Sequence, residues 1–392
     1  MAPKTAGENV IVENPLQKTH EQAEATFLPY GPLIQIVESF GQPEIEYAAI
    51  RKGAGLMDCP HRSVLELTGK DRLSFLNNLL TNDTKSLAPG CGCYALLLNT
   101  KGRITADMYV LNLPDRTLLE LDARLIGQTC AFLNQYLFAE DVQIKDCSAV
   151  IRRFSLCGPA GAALLVRLAP PGGLALSEGL YTVGNGLLAA GGKTIPVTAF
   201  KNNLCGEPQW DLIVPADAAV VLWDGLMEHA ARVNDRPGSE FNLRAVGWSA
   251  FNIARIEAGT PLFGIDFSEQ TLPLELAHWY ARSVHPRKGC YLGQEVVARM
   301  HVRNQSARRI VGIKIRGDAV PLAGAELRAA DKTVGMVTSS CMSPLLGNVP
   351  VGLAYVESSR GGIGAEFDVY TSRGKATAGV AELPFVPAQG IA

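Results

Sequence analysis

The segment Tyr94-Ala-Leu-Leu-Leu-Asn-Thr-Lys-Gly-Arg-Ile-Thr-Ala-Asp-Met-Tyr-Val-Leu-Asn-Leu113 decides how this chain is read. Two apolar runs, Tyr94 to Asn99 and Ile104 to Leu113, flank the turn signal Lys101-Gly102 and are expected to pair as neighbouring strands. Period two puts Ile104, Ala106, Met108 and Val110 on one face, and Arg103, Thr105, Asp107 and Tyr109 on the other. Asp107 thus stands mid-strand beside a hydroxyl and a phenol. Pattern alone leaves two readings open: a solvated strand face, or a carboxylate in a pocket that holds or deprotonates a ligand amine.

Around this hairpin, apolar spacing predicts helices over 44–53, 71–80 and 123–137 and a strand over 63–67. A second block opens at Ile151, with strands at 154–156, 197–201 and 210–214 and helices at 160–168, 218–232 and 249–258. After Arg308, short alternating runs broken by Gly and Pro predict a β-barrel or sandwich of its own. The expected class is α+β with a C-terminal β-barrel. Four parts are expected: an irregular arm over 1–40, a first part over 41–150, a second over 151–307, and the barrel over 308–392.

Composition narrows the function. At 392 residues and 47% hydrophobic the chain can bury two or three cores. With 36 basic and 38 acidic residues it has no bulk attraction for nucleic acid. No apolar stretch approaches the roughly 20 residues that cross a bilayer, so no membrane partner is expected. The first residues lack a secretory h-region. Nine scattered cysteines, none in a C-x-x-C pair, fit a reducing compartment, and a cytoplasmic location is expected. The six histidines lack metal-ligand spacing, so no metal is expected. Gly184-Asn-Gly-Leu-Leu-Ala189 has dinucleotide-like spacing but runs into Gly191-Gly192 instead of a helix.

Three further stretches can carry chemistry. Glu207 lies on a Gly/Pro turn, either as a solvated hairpin tip or as a carboxylate accepting two parallel N–H groups from a planar heterocycle. Arg255, on a helix stopped by Gly259, reads as the partner of a buried carboxylate or of a ring. The loop Lys288-Gly289-Cys290-Tyr291-Leu-Gly293-Gln294-Glu295 brackets a thiol with glycines before a helix. Arg287, Lys288 and the helix start would favour a thiolate at Cys290, the alternative being an inert thiol. Residues 281–316 hold nine Lys or Arg and the single acid Glu295. That stretch is either a solvated face or a surface for a polyglutamate tail, a phosphate or RNA.

Taken together, these segments resemble the glycine-cleavage T-protein superfamily of folate-binding proteins. The likeness rests on Gly53-Ala-Gly-Leu-Met-Asp58 with His61, Leu73 to Thr84, Cys157-Gly-Pro-Ala160, Arg255-Ile-Glu-Ala-Gly259 and Gly335 to Tyr355. It implies a three-part cloverleaf around tetrahydrofolate or a folate derivative, with Asp107 near folate N10, Glu207 on the pterin and Arg255 near the folate. Pro208-Gln-Trp-Asp211 departs from the T-protein's D-G-Y-E continuation. Lys288 to Glu295 matches the K-G-C-Y-x-G-Q-E signature of the YgfZ-type branch, which implies a folate-binding protein that supports iron–sulfur cluster assembly or repair on client proteins, with Asp107 and Cys290 as the chemical groups. The alternatives are an aminomethyltransferase that transfers a one-carbon unit to tetrahydrofolate, and a non-catalytic protein that binds RNA or a partner.

Overall fold

The structure, a computed structural model, describes residues 14–234, 242–303 and 305–387. The described residues form two large sheets that face one another, a closed barrel and a small hairpin. The first sheet runs Cys91–Leu98, Ile104–Asn112, Thr117–Asp122, Arg62–Thr68 and Gln143–Asp146, every neighbour antiparallel. The opening hairpin therefore exists as expected, with Tyr94 opposite Tyr109 and Leu96 opposite Asp107. Its strands Cys91–Leu98, Ile104–Asn112 and Thr117–Asp122 are largely apolar runs because both faces are covered, whereas the edge strand Gln143–Asp146 is mostly polar and exposed. Phe75, Leu76 and Leu79 of helix Arg72–Leu79 and Leu133 of helix Ile126–Gln135 share this core.

The second sheet runs Val183–Ala190, Lys193–Asn202, Gln209–Pro215, Ile151–Cys157, Ala54–Asp58 and Leu243–Ala245, with only the last pair parallel. Helices Gly161–Leu168 and Ala219–Asn234 pack on it through Leu164, Leu165, Leu222 and Leu226. Residues 308–381 close the barrel in the order Arg308–Arg316, Val349–Glu357, Lys332–Ser343, Glu326–Ala329, Glu366–Thr371 and Gly374–Ala381, around Val311, Ile313, Leu327, Val337 and Val369. Closure removes the exposed strand edges that such short strands would otherwise present. Among the described residues no helix is long and apolar enough to cross a membrane.

One part differs from expectation, and two strands go beyond it. The described part of the arm is not irregular: it has a helix, Gln17–Gln22, and a hairpin of Thr26–Pro29 with Gln35–Ser39. Leu16, His20, Ile36 and Val37 anchor it by burial, a non-local cause. The Gly- and Leu-rich stretch 169–192 contains the edge strand Val183–Ala190, whose turn needs the positive φ of Gly191 (54°) and Gly192 (70°). The dinucleotide-like spacing lies in this strand. Leu243–Ala245, too short for a periodic signal, gains its strand character by pairing with Ala54–Leu56.

The barrel is tied to the body by helix Trp248–Glu257. Arg255 donates to Asp266, and Asp266 also accepts the hydroxyls of Thr338 (2.7 Å) and Ser339 (2.6 Å) from a barrel strand. Glu257 accepts from Arg51 (2.5 Å), Tyr47 (2.6 Å) and barrel residue Ser343.

Candidate functional site

Asp107 lies on the face of the first sheet that looks at the second sheet. Its burial comes from that second layer, which local periodicity does not encode. Oδ2 accepts the Tyr94 hydroxyl at 2.8 Å, while Oδ1 is buried with no partner among the described residues. Burial raises the carboxyl pKa, and the nearby Arg62 only partly opposes this. A buried acceptor left open is costly unless a ligand or water completes it. Tyr94 is fixed in turn by Tyr109 and Trp279, with ring centroids 5.3 and 6.0 Å away.

The two sheets meet through a buried chain of alternating charge. Arg62 binds Glu120 through Nε (2.9 Å) and Nη2 (2.5 Å). Glu120 lies 3.0 Å from Arg153 Nε, and Arg153 Nη2 lies 2.6 Å from Asp211. Asp211 also accepts from Gln209 (2.9 Å) and Asn202 (3.2 Å). The side chains of Arg153, Glu120 and Asp211 are at most 4% exposed. Pairing at every step is what makes so much buried charge tolerable.

A narrow cavity of about 40 Å³ lies between these groups, walled by Asp107, Tyr94, Arg62, Arg153, Gln209 and a set of aromatic rings. Tyr30, His61, Trp248 and Phe251 form one wall, with His61 at 5.0 Å from Tyr30 and 5.6 Å from Trp248. Burial, then Arg62 and Arg153, push the His61 pKa down to about 3, so its ring is neutral, and Nδ1 has no partner among the described residues. Gln209 Oε1 is a further buried acceptor with no such partner. Two open acceptors, Asp107 Oδ1 and Gln209 Oε1, beside a neutral imidazole nitrogen that donates or accepts according to tautomer, suit a ligand rich in N–H groups. The space as it stands holds little more than water, and a heterocycle would enter it only if the walls moved apart. Tyr30, from the amino-terminal hairpin, belongs to neither large sheet and is held by Asp122 (2.8 Å) and by the Arg124 guanidinium 4.2 Å from its ring.

Of the residues given a chemical or folate-binding role in the sequence (Asp107, Glu207, Arg255 and the 288–295 loop), only Asp107 lines this cavity. The Glu207 carboxylate points to Arg51 at 3.1 Å, and burial raises its pKa against the pull of that arginine. Arg255 is fully buried and, of the two partners left open, meets a carboxylate, that of Asp266 in its own chain. No residue of the 288–295 loop lines the cavity. Lys288 does not serve the thiol: its ammonium turns inward to the carbonyls of Asn77 (2.5 Å), Leu80 and Asn82 (3.0 Å), 5.1 Å from the Tyr291 ring, and burial lowers its pKa to about 8. Tyr291 is buried and Cys290 is exposed. Gly289 has open space beside it, whereas Gly293 (φ 77°) packs on the Asn99 carbonyl. Gln294 opens the helix that follows, and Glu295 pairs at the surface with Arg299.

The basic stretch 281–316 does not form one continuous cationic face. Lys288 is buried, Arg299, Arg308 and Arg316 pair with Glu295, Glu275 and Glu366, and Arg282 and Arg309 bond Asn203 and a backbone carbonyl. Sequence reasoning missed Arg62, Tyr94, Glu120, Arg153 and Gln209. The alternation of Gln209 and Asp211, and of Arg153 and Ser155, within apolar strands was the available signal.

Residues 16–282 match the family model described as the GCVT N-terminal domain, and residues 308–387 match the glycine cleavage T-protein C-terminal barrel domain. The aminomethyltransferase of Bacillus subtilis (strain 168) is 28% identical over 88% of this chain and 91% of its own length. That of Symbiobacterium thermophilum is 29% identical over 96% and 97%. The crystal structure of glycine cleavage system aminomethyltransferase T from Bartonella henselae superposes with a TM-score of 0.80 at 25% identity, covering 95% of this chain and 98% of that one.

Proposed function

The chain belongs to the glycine-cleavage T-protein superfamily, and from that premise we propose that it is a tetrahydrofolate-dependent one-carbon transferase of the aminomethyltransferase kind, with its site in the cavity at Asp107. One observation carries the reading: a buried carboxylate with one oxygen fixed by Tyr94 and the other open to the cavity. Bound tetrahydrofolate supplies a secondary amine that accepts the one-carbon unit. Asp107 Oδ1 takes the N–H of that amine, and its raised pKa makes it a better proton acceptor than an exposed carboxylate. Tyr94 holds the carboxylate in one orientation, so positioning supplies much of the rate. The aromatic walls exclude water and strengthen that contact. Tetrahydrofolate should quench the fluorescence of Trp248 and Trp279, which line the cavity. Asp107→Asn, which keeps shape and removes charge, should weaken binding by about tenfold, the size of one hydrogen bond to a charged group. Absence of binding by the wild type, or equal binding by both proteins, would refute the assignment.

A second reading keeps one observation, the exposed Cys290 in its glycine-bracketed loop. It supports membership of the YgfZ-type branch, with tetrahydrofolate in the cavity and a surface thiol offered to iron–sulfur client proteins. Because the loop does not line the cavity, this reading predicts separable functions. Cys290→Ala would abolish cluster support in cells and leave tetrahydrofolate affinity unchanged. The named relatives favour the transferase.

A further inference from the structure

We propose that Gln209 reads the donor edge of the ligand's heterocycle, a role the sequence reading gave to Glu207; the inference rests on the folate reading above. Gln209 opens strand Gln209–Pro215 on the wall contributed by the second sheet, across from Asp107, and its side chain is fully buried. Its Nε2 donates to Asp211 Oδ1 at 2.9 Å. A carboxylate only accepts, so this bond fixes which end of the amide is nitrogen and leaves Oε1 as the open acceptor. Oε1 has no partner among the described residues, although Gln209 lines the cavity. Asp211 itself has no such freedom, since Arg153, Asn202 and Gln209 occupy it. Its negative charge is neutralised within the seam between the sheets, and it reaches the ligand only by orienting and polarising the Gln209 amide.

Glu207 pairs with Arg51 and does not line the cavity. The acceptor presented to the ligand is therefore a neutral amide oxygen. Such an acceptor discriminates by whether an N–H is present, and a site built around it rejects an analogue that lacks the donor, because Oε1 is then left buried and unpaired. The chemical class is a planar heterocycle carrying an exocyclic amine, such as the 2-amino group of a reduced pterin.

The test compares the affinities of tetrahydrofolate and its 2-desamino-2-methyl analogue for the full-length wild type and for Gln209→Met. The wild type should prefer the 2-amino compound by about tenfold, and Gln209→Met should lose that preference while binding the analogue at least as tightly as the wild type does. The wild-type comparison needs no variant to fold. A wild type that binds both compounds equally overturns this inference alone, as does a folded Gln209→Met that keeps the preference. A wild type that binds neither compound overturns the folate reading and this inference together.

Discussion

Replacing Arg153 with methionine should expose what holds the two sheets together. The side chain is 4% exposed and stands between Glu120 (3.0 Å) and Asp211 (2.6 Å), both fully buried. Without the cation, Glu120 still has two hydrogen bonds from Arg62, whereas Asp211 retains only the neutral amides of Asn202 and Gln209. The cost therefore falls on Asp211. Breaking a buried pair from one side typically costs about 3–5 kcal/mol, and that is the loss expected in the urea midpoint at unchanged slope. Adding Asp211→Asn removes the stranded charge and should recover at least about 2 kcal/mol, so the two substitutions are strongly non-additive. A loss below about 1 kcal/mol, or purely additive effects, would show that the charge chain is not what joins the sheets.

Gly293→Ala should cost about 1–3 kcal/mol, because its φ is 77° and a Cβ would sit 2.7 Å from the Asn99 carbonyl, whereas Gly289→Ala, with open space beside it, should stay within about 0.5 kcal/mol; thermal unfolding separates them. Lys288→Met should destabilise by about 1–3 kcal/mol by stranding backbone carbonyls of Asn77, Leu80 and Asn82, while Cys290→Ala should be thermally silent and remove one rapidly labelled thiol from the native protein, where Cys91 is the other exposed cysteine. His61 takes up its proton in the unfolded chain near pH 6.5 but in the fold only near pH 3, so stability is lost as pH falls through that window. From neutral pH to pH 5 the contribution is about 2 kcal/mol, and His61→Phe should flatten the urea midpoint over that range by this amount; an unchanged pH profile would place a different group behind the acid lability.

The hairpin around Lys101-Gly102 and the strands after Arg308 were legible because turn residues and apolar runs are local signals. Asp107 was legible as a strand position, but its burial was not, since that depends on a second sheet whose strands, Ala54–Asp58 before it and Ile151–Cys157 and others after it, are distant in the chain. The charge chain was illegible for the same reason: it joins residues 62, 120, 153 and 211, which no spacing rule relates. Arg255 was read as the partner of a buried carboxylate or of a ring, and in the fold it meets the carboxylate of Asp266. The loop at Lys288 was visible as a motif, but its lysine is committed to the carbonyls at the end of helix Arg72–Leu79, a contact more than 200 residues distant in sequence. The edge strand Val183–Ala190 was hidden by its glycines, of which Gly186 suits close approach to residues 173 and 174 rather than strand propensity.

The central claim is tested most directly by ammonia release from aminomethyl-loaded lipoyl H-protein in the presence of tetrahydrofolate, with wild type and Asp107→Asn side by side. Turnover by the wild type that falls at least a hundredfold in the folded variant, the scale of a lost positioned base, is the predicted result. No turnover by a wild type that binds tetrahydrofolate, or turnover indifferent to Asp107, would contradict it.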